Sequence, residues 1–217
     1  FVFAENIDTL FLDTTYCDPQ YTFPDRVSVS NEAVKIIKKT KEKTLYVVGT
    51  YLIGKEIFVE EIARQTGKKI CVNEQKMVTI QLSQRDLSLY TLEKTDLEMR
   101  NSGIEVSLSG LNVELDQIKD KFQRIVLFTP TGWAKKLVSK GSFDVKEYQL
   151  PYSEHSNFNE LVDCVKCVKA THIVPTVVNP DQDPKQLIDL IITNTKPKVG
   201  TLEYAFQRAR RRSSEQL

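Results

Sequence analysis

Short apolar runs that end in polar turns recur along this chain, and they constrain its fold more than any other feature. The first, Thr9-Leu10-Phe11-Leu12, stops at Asp13 and predicts a buried strand that ends in a polar turn. Similar runs predict strands at 45–48, 69–72, 87–92, 104–108, 124–128, 145–150 and 172–178. Helical periodicity separates many of these runs. Strands that alternate with helices predict an α/β fold with a mainly parallel sheet.

Apolar residues at helical spacing predict the connecting helices. Those of the first helix are Val29, Ala33, Ile36 and Ile37, and Ser28 is its expected N-cap. A second helix runs from about Phe58 to a stop at Gly67, and a third lies near 111–122. One more helix follows His155, and two close the chain. Residues 73–102 are largely too polar to assign, whereas 135–146 predict a loop or a crossing between domains.

The overall charge gives no field that would attract nucleic acid. The formal net charge of the 217 residues is +1, so nucleic-acid binding would have to use local basic patches. One patch consists of lysines between 35 and 43, and the other of arginines between 208 and 212. A solvent-exposed helix end and a solvent-exposed tail without any nucleic-acid partner would show the same clusters of basic residues. No apolar run approaches the roughly 20 residues of a membrane span. A start at Phe1 without a signal-peptide pattern suggests a fragment of a longer protein.

Four cysteines show no spacing typical of a secreted disulfide framework, which favours a reducing compartment. Cys164 and Cys167 form a C-x-x-C inside an apolar stripe at helical spacing. No second cysteine pair completes a zinc site. We therefore expect two packed thiols on a helix rather than a redox or metal centre.

Polar turns follow several of the predicted strands. They are Asp13-Thr14-Thr15-Tyr16, Gly49 to Lys55, Thr129 to Trp133, and Ser153 to Ser156. In parallel α/β sheets, functional groups collect beyond the carboxyl ends of the strands. The turns are rich in hydroxyl groups and contain a carboxylate, a lysine and a histidine. This set suits binding a phosphate and helping to hold a metal.

One turn resembles a nucleotide-binding loop. Residues 49–55 fit G-x-x-x-x-G-K between a strand and a helix, as in a P-loop. However, Glu56 stands where Ser or Thr should bind Mg²⁺, and the bulky Tyr51-Leu52-Ile53 replaces the small residues that expose backbone N–H groups. A P-loop phosphotransferase remains an alternative. The plainer interpretation is a strand-to-helix turn with an exposed Lys55.

Two histidines are the candidates for metal binding. His172 opens an apolar strand, which favours a structural role. His155 lies in a polar turn, from which it could point into a cleft. One histidine and a distant carboxylate do not make a zinc site, which needs three or four ligands. Any metal would need further ligands from outside this chain.

Five segments in order resemble the DNA cross-link repair nucleases of the metallo-β-lactamase/β-CASP superfamily, the Artemis-like family. They are Leu12 to Cys17 with Tyr21-Thr22-Phe23-Pro24, Gly49 to Glu56, Pro130 to Trp133, Pro151 to Ser156, and Ile173 to Val177. The resemblance implies a β-CASP domain, a mainly parallel sheet with flanking helices, plus the C-terminal strands and helices of a metallo-β-lactamase αββα fold. It implies residues 1–20 as the end of the metallo-β-lactamase part, 21–144 as the β-CASP region, and 145–217 as the segment that returns to the hydrolase fold and ends in a basic tail.

The resemblance also implies site residues. Asp13 matches the acidic residue of the first motif, which orients metal ligands, and His155 matches a metal-ligating histidine. Val177 matches the third-motif position, where the DNA-processing branch carries valine and RNA-processing relatives carry histidine. Candidates for holding a 5′-phosphate or the nucleic-acid backbone are Thr14, Lys55, Thr131, Ser153 and Ser156.

Departures from the family pattern bear on activity. The family's main ligands come from a His-x-His-x-Asp-His motif, another His, and an Asp in a Gly-Asp-Phe motif, and none of these is present in the chain. Val178-Asn179-Pro180 stands where relatives tend to have Asn-Val-Gly, and residues 93–102 match poorly.

The parent protein is expected to be a nuclear, zinc-dependent 5′-to-3′ DNA exonuclease that acts in interstrand cross-link repair and double-strand-break repair. It would bind DNA, single-stranded or cross-linked, at a 5′-phosphate end, and would not bind membrane. The pattern predicts no particular protein partner. One alternative is a non-catalytic module that binds DNA or a protein partner.

Overall fold

The computed structural model describes residues 7–93, 102–107 and 121–196 of the chain. Its helices are α1 (Arg26–Lys39), α2 (Glu56–Thr66), α3 (Glu74–Leu82), α4 (Phe158–Val168) and α5 (Pro184–Thr195), with a 3-10 turn at Leu87–Leu89. Its strands are β1 (Thr9–Leu12), β2 (Thr44–Gly49), β3 (Ile70–Cys71), β4 (Tyr90–Thr91), β5 (Ser102–Ser107), β6 (Arg124–Thr131), β7 (Val138–Gly141), β8 (Val145–Pro151) and β9 (His172–Pro175). The predicted α/β class with a mainly parallel sheet is confirmed.

The described residues form two compact units. Residues 23–154 belong to the first, called the large unit below. The described residues before 23 and after 154 form the second, the small unit.

A seven-stranded sheet in the order β4-β3-β5-β2-β6-β8-β7 builds the large unit. All its strand pairs are parallel except β7 with β8. The central strand β2 is buried on both faces, with Tyr46 and Val48 in one core and Leu45 and Val47 in the other. Burial on both faces explains why the sequence shows a continuous apolar run there rather than alternation.

The small unit pairs β1 with β9 in parallel, and helices α4 and α5 pack together. Its core contains Leu12 from β1, Phe158 and Leu161 from α4, and Leu187 and Ile191 from α5. The strand pairing places the carboxyl ends of β1 and β9 side by side, since Leu12 pairs with Pro175.

The predicted start of α1, end of β6 and loop at 135–146 were wrong. Helix α1 begins before Ser28, and its N-cap is Asp25, whose carboxylate accepts the Ser28 N–H at 2.9 Å. The apolar stripe starts later than the helix, so it misplaced the cap. Strand β6 continues through Thr131 because it pairs with β8 up to Pro151. Part of the expected loop at 135–146 is the edge strand β7, whose four residues are all exposed and therefore lack apolar alternation.

The polar stretch that the sequence left unassigned contains α3, capped by Asn73. Its periodicity is hidden because α3 buries Lys76 and exposes Val78 and Leu82. The predicted strand at 87–92 is a 3-10 turn followed by the two-residue β4. The predicted helix near 111–122, the second closing helix and the arginines at 208–212 lie largely or wholly outside the described residues.

The cysteine pair lies on α4, as predicted, but only one of its thiols packs. Cys164 is half-buried against the core of the small unit, whereas Cys167 is exposed. Both thiols are free. Among the described residues, no helix has the length and apolar character to span a membrane.

A capping box starts α4 immediately after the His155 turn. The Asn157 carboxamide accepts the Glu160 N–H at 3.1 Å, and the Glu160 carboxylate accepts the Asn157 N–H at 2.8 Å. Replacing Asn157 by Ala should lower the free energy of unfolding by about 1 kcal/mol. Asn157→Asp keeps an acceptor and should change it little. Urea unfolding followed by circular dichroism compares the two, and an equal loss in both variants would contradict the capping role.

Candidate functional site

A tight turn after β1 fixes the carboxylate of Asp13. Its Oδ1 atom accepts the Thr15 N–H at 2.9 Å and the Thr15 hydroxyl at 2.6 Å. Such Asp-x-Thr turns satisfy the backbone beyond a strand end through the aspartate side chain. One oxygen of Asp13 is therefore engaged locally, and Oδ2 faces another partner.

That partner is His155. The distance from Asp13 Oδ2 to His155 Nδ1 is 2.7 Å, and both residues belong to the small unit. The two side chains are about half exposed, 46% for Asp13 and 51% for His155, so ligands can reach them. The Tyr16 ring meets the imidazole edge-on, with centroids 6.0 Å apart. The two motif residues, 142 positions apart in sequence, thus form one pair.

The protonation of Asp13 determines the histidine tautomer. Burial raises the pKa of Asp13, but the hydrogen bonds from Thr15 and His155 outweigh it, so this pKa lies below its ordinary value. An ionised carboxylate only accepts hydrogen bonds. Nδ1 of His155 therefore carries the proton in this contact, and the lone pair of a neutral ring lies on Nε2. This is the arrangement in which a carboxylate orients a metal-binding histidine.

Thr14 and Val177 are joined beside this pair. The buried Thr14 hydroxyl donates to the Val177 carbonyl, and the Thr176 N–H donates to the Leu12 carbonyl at 2.9 Å. These bonds tie the end of β1 to the segment after β9. Because the Thr14 hydroxyl proton is used in this bond, the Thr14 side chain stabilises the turn in the observed geometry.

His172, the chain's other histidine, lies at the start of β9 and is exposed. Its backbone N–H donates to the Asp8 carbonyl at 2.8 Å. It opens the parallel pair of strands.

In the large unit, the turn Thr50–Lys55 follows β2 and is shaped by α2 and α3. Gly54 and Lys55 have φ values of 120° and 67°, which only a well-supported turn holds. Both Glu56 carboxylate oxygens accept the Gly54 N–H, at 2.9 and 3.0 Å. The buried Lys76 ammonium donates to Glu56 and to the carbonyls of Tyr51 and Leu52, at 2.8 and 2.9 Å.

Lys55 is part-buried at the end of this turn. Its ammonium contacts the Pro130 carbonyl and lies 4.5 Å from the centroid of the Tyr51 ring. Burial lowers the pKa of Lys55 below its ordinary value, and the nearby Glu154 carboxylate opposes that shift. An ammonium has three donors. One meets Pro130, so the group keeps capacity for a further acceptor.

The segment before His155 is held on two sides within the large unit. Glu154 Oε1 accepts the Lys55 N–H at 2.8 Å. The Arg26 guanidinium donates to the carbonyls of Ser153 and Glu154 at 2.9 and 3.1 Å.

The other predicted phosphate-binding residues differ in exposure. Thr131 ends β6, and its hydroxyl oxygen accepts the Trp133 N–H at 3.3 Å. Ser153 is buried in the large unit, whereas Ser156 is exposed in the small unit.

The turn at 49–55 does not have the geometry of a phosphate cradle. In a P-loop the backbone N–H groups face the phosphates. Here the Gly54 and Lys55 N–H groups are bonded to the carboxylates of Glu56 and Glu154. These two N–H groups are therefore not available to bind the phosphates of a nucleotide as a P-loop does.

Sequence reasoning missed four supporting residues. Thr15 could have been found from its position two residues after an aspartate. Arg26 and Glu154 make contacts 127 to 128 and 99 residues away, respectively, so no local pattern marks them. Lys76 lies in the stretch whose helix was not predicted.

The described residues supply part of a metal site. His155 Nε2 fits one ligand, supported by Asp13. No group of three or more His, Cys, Asp and Glu side chains converges within the described ranges. A complete site needs at least three protein ligands.

Comparison with known proteins places the chain in a family. A family described as "DNA repair metallo-beta-lactamase" matches residues 76–181. The DNA cross-link repair 1A protein of Gallus gallus is 33% identical over 86% of this chain and 21% of its own. DNA ligase 6 of Arabidopsis thaliana is 32% identical over 78% of this chain, which corresponds to 13% of the ligase. The 5′ exonuclease Apollo of Danio rerio is 29% identical over 80% of this chain, which corresponds to 28% of the exonuclease.

The matched region is 13% to 28% of the length of these relatives. The matches nevertheless cover most of this chain, and its mixed α/β fold with a mainly parallel sheet is that expected of the family. The chain belongs to the DNA cross-link repair family of metallo-β-lactamase proteins.

Proposed function

We propose that this chain is part of a metal-dependent DNA repair nuclease that digests DNA from a 5′ end. Residues 1–20 and 145–217 would belong to the hydrolase fold, and 21–144 to the β-CASP region. The proposed setting is the nucleus and the repair of cross-linked DNA. Support comes from the family, from relatives named for cross-link repair and 5′ exonuclease activity, and from Val177 at the position where the DNA-processing branch carries valine.

The observation that carries the proposal is the contact between Asp13 and His155. A carboxylate at 2.7 Å from Nδ1 leaves Nε2 as the donor atom for a metal. A divalent metal, zinc in our proposal, would supply the Lewis acid that activates water and neutralises phosphate charge. Asp13 would hold the imidazole in one tautomer and one orientation throughout the reaction.

Lys55 is the proposed contact for the phosphate group. Its ammonium is held by the Pro130 carbonyl and has donors left for a phosphate oxygen. Partial burial strengthens its electrostatic interaction with an anion because water screens it less. Hydroxyl groups of Thr131, Ser153 and Ser156 would add hydrogen bonds to the backbone of the strand.

The Asp13–His155 pair can be tested by substitution in the full-length protein. His155→Ala should reduce DNA cleavage by about a hundredfold or more, and Asp13→Asn should weaken metal binding by about 10 to 100-fold. Cleavage of a 5′-phosphorylated strand and zinc titration against a competing chelator give the two measurements. His172→Ala is the matched control and should behave like the unchanged protein. Equal losses in His172→Ala and His155→Ala would contradict the assignment.

Lys55 can be tested by its preference for a phosphorylated end. Lys55→Ala should reduce the ratio of cleavage rates on 5′-phosphate and 5′-hydroxyl strands about tenfold, because a charge-assisted hydrogen bond contributes about 1.5 to 3 kcal/mol. Lys35→Ala, at an exposed position on α1, is the control. Nucleotide binding by both variants tests the P-loop alternative: a specific loss in Lys55→Ala would support a phosphotransferase instead.

Residues 1–217 alone should neither bind zinc tightly nor cleave DNA, because His155 and Asp13 provide fewer ligands than a site needs. Purified segment, zinc and a 5′-phosphorylated single strand make the assay. Metal-dependent digestion by the segment, absent in its His155→Ala variant, would show that these residues complete a site by themselves.

A further inference from the structure

The turn after β2 exposes three apolar side chains in succession. Tyr51, Leu52 and Ile53 are 63%, 38% and 75% exposed, and we call them the apolar tip. Single exposed apolar residues are common on protein surfaces. Here three consecutive exposed apolar residues lie next to the Lys55 ammonium. None of the three belongs to the buried core, so the folding of the large unit does not explain them.

The buried Lys76 side chain holds the backbone of the apolar tip in place. Lys76 is 2% exposed, and its three donors meet the carbonyls of Tyr51 and Leu52 and the carboxylate of Glu56. Removing an ammonium from water costs several kcal/mol, and a buried ion pair often contributes little net stability. A buried apolar residue could fill the same space, but it could not fix two carbonyl groups. The pair therefore gives the turn a defined shape.

The chemistry around the tip selects the partner. Lys55 Nζ lies 4.5 Å from the centroid of the Tyr51 ring, and its positive charge suits a phosphate. An exposed ring beside a cation and flanked by aliphatic side chains matches a nucleotide, whose base is apolar and whose phosphate is charged. Single-stranded nucleic acid is bound by this combination of stacking surfaces and basic groups.

We propose that the apolar tip is a contact surface for the bases of the DNA strand, with Tyr51 as a stacking residue, while Lys55 binds the phosphate backbone. The inference rests on the proposed DNA nuclease function. The proposal adds contacts with the bases, which the phosphate-binding residues do not provide. Stacking on Tyr51 does not depend on base identity, because every base has a π face.

The test removes the base and the ring separately. Full-length protein is titrated, in EDTA to prevent cleavage, with a fluorescent 5′-phosphorylated single strand and with an abasic strand of equal length and charge. The unchanged protein should bind the natural strand about tenfold more tightly. Tyr51→Ala should bind the natural strand about tenfold more weakly and should no longer distinguish the two, whereas Tyr51→Phe should behave like the unchanged protein.

Two further variants separate the tip from general apolar or electrostatic effects. Ile53→Ser should weaken binding of the natural strand only. Leu82→Ser, at an 80% exposed position on α3, is the matched control and should keep full discrimination. The slope of affinity against salt should fall in Lys55→Ala and stay constant in Tyr51→Ala, because stacking displaces few counterions. Circular dichroism melting verifies that each variant is folded.

The outcomes separate the two proposals. If the unchanged protein binds neither strand, the proposed DNA function fails. If it binds DNA and a folded Tyr51→Ala variant still prefers the natural strand tenfold, the stacking role is overturned while the proposed function stands. Unchanged DNA affinity in both tip variants would likewise overturn it and would leave the tip to a protein partner.

Discussion

The buried contact between Lys76 and Glu56 determines how the large unit presents its polar edge. Lys76 bonds to two carbonyls of the turn, and Glu56 accepts the Gly54 N–H. Between these anchors the chain adopts positive φ at Gly54 and Lys55. A Cβ atom at residue 54 would meet Glu154 Oε2 at 3.2 Å, so glycine serves both the backbone conformation and the approach of that carboxylate. Without the ion pair, nothing described would fix the Tyr51 and Leu52 carbonyls.

Glu56 illustrates how one residue can look wrong for one function and be required for another. In the P-loop interpretation it occupies the magnesium-binding position and repels phosphate. In the structure its hydrogen bonds with Lys76 and Gly54 outweigh the effect of burial and keep its pKa below the ordinary value, so it remains charged. The same carboxylate that excludes a nucleotide cradle thereby stabilises the turn that carries Lys55.

The sequence predicted the parallel sheet and most of its strands, because strands buried on both faces leave continuous apolar runs. It could not predict α3, whose buried face includes a lysine, or β7, whose residues are all exposed. For the site, the motifs singled out Asp13 and His155, but their contact depends on tertiary structure. Arg26 and Lys76 donate hydrogen bonds to backbone carbonyls. Because every residue has a backbone carbonyl, no sequence pattern predicts these contacts.

Both units place their polar groups at the ends of parallel strands, yet they assemble different chemistry. In the small unit, β1 ends immediately before Asp13 and β9 immediately before Thr176, and the Asp13 carboxylate orients the His155 imidazole. In the large unit, the turn after β2 gives a part-buried cation beside an exposed ring. The first arrangement suits a metal and the second a nucleotide. Each motif was ambiguous alone, because a lone histidine or lysine is usually structural. Neighbouring groups in the structure narrow the role of each residue: the Asp13 carboxylate contacts Nδ1 of His155, and the Pro130 carbonyl holds Lys55 near the Tyr51 ring.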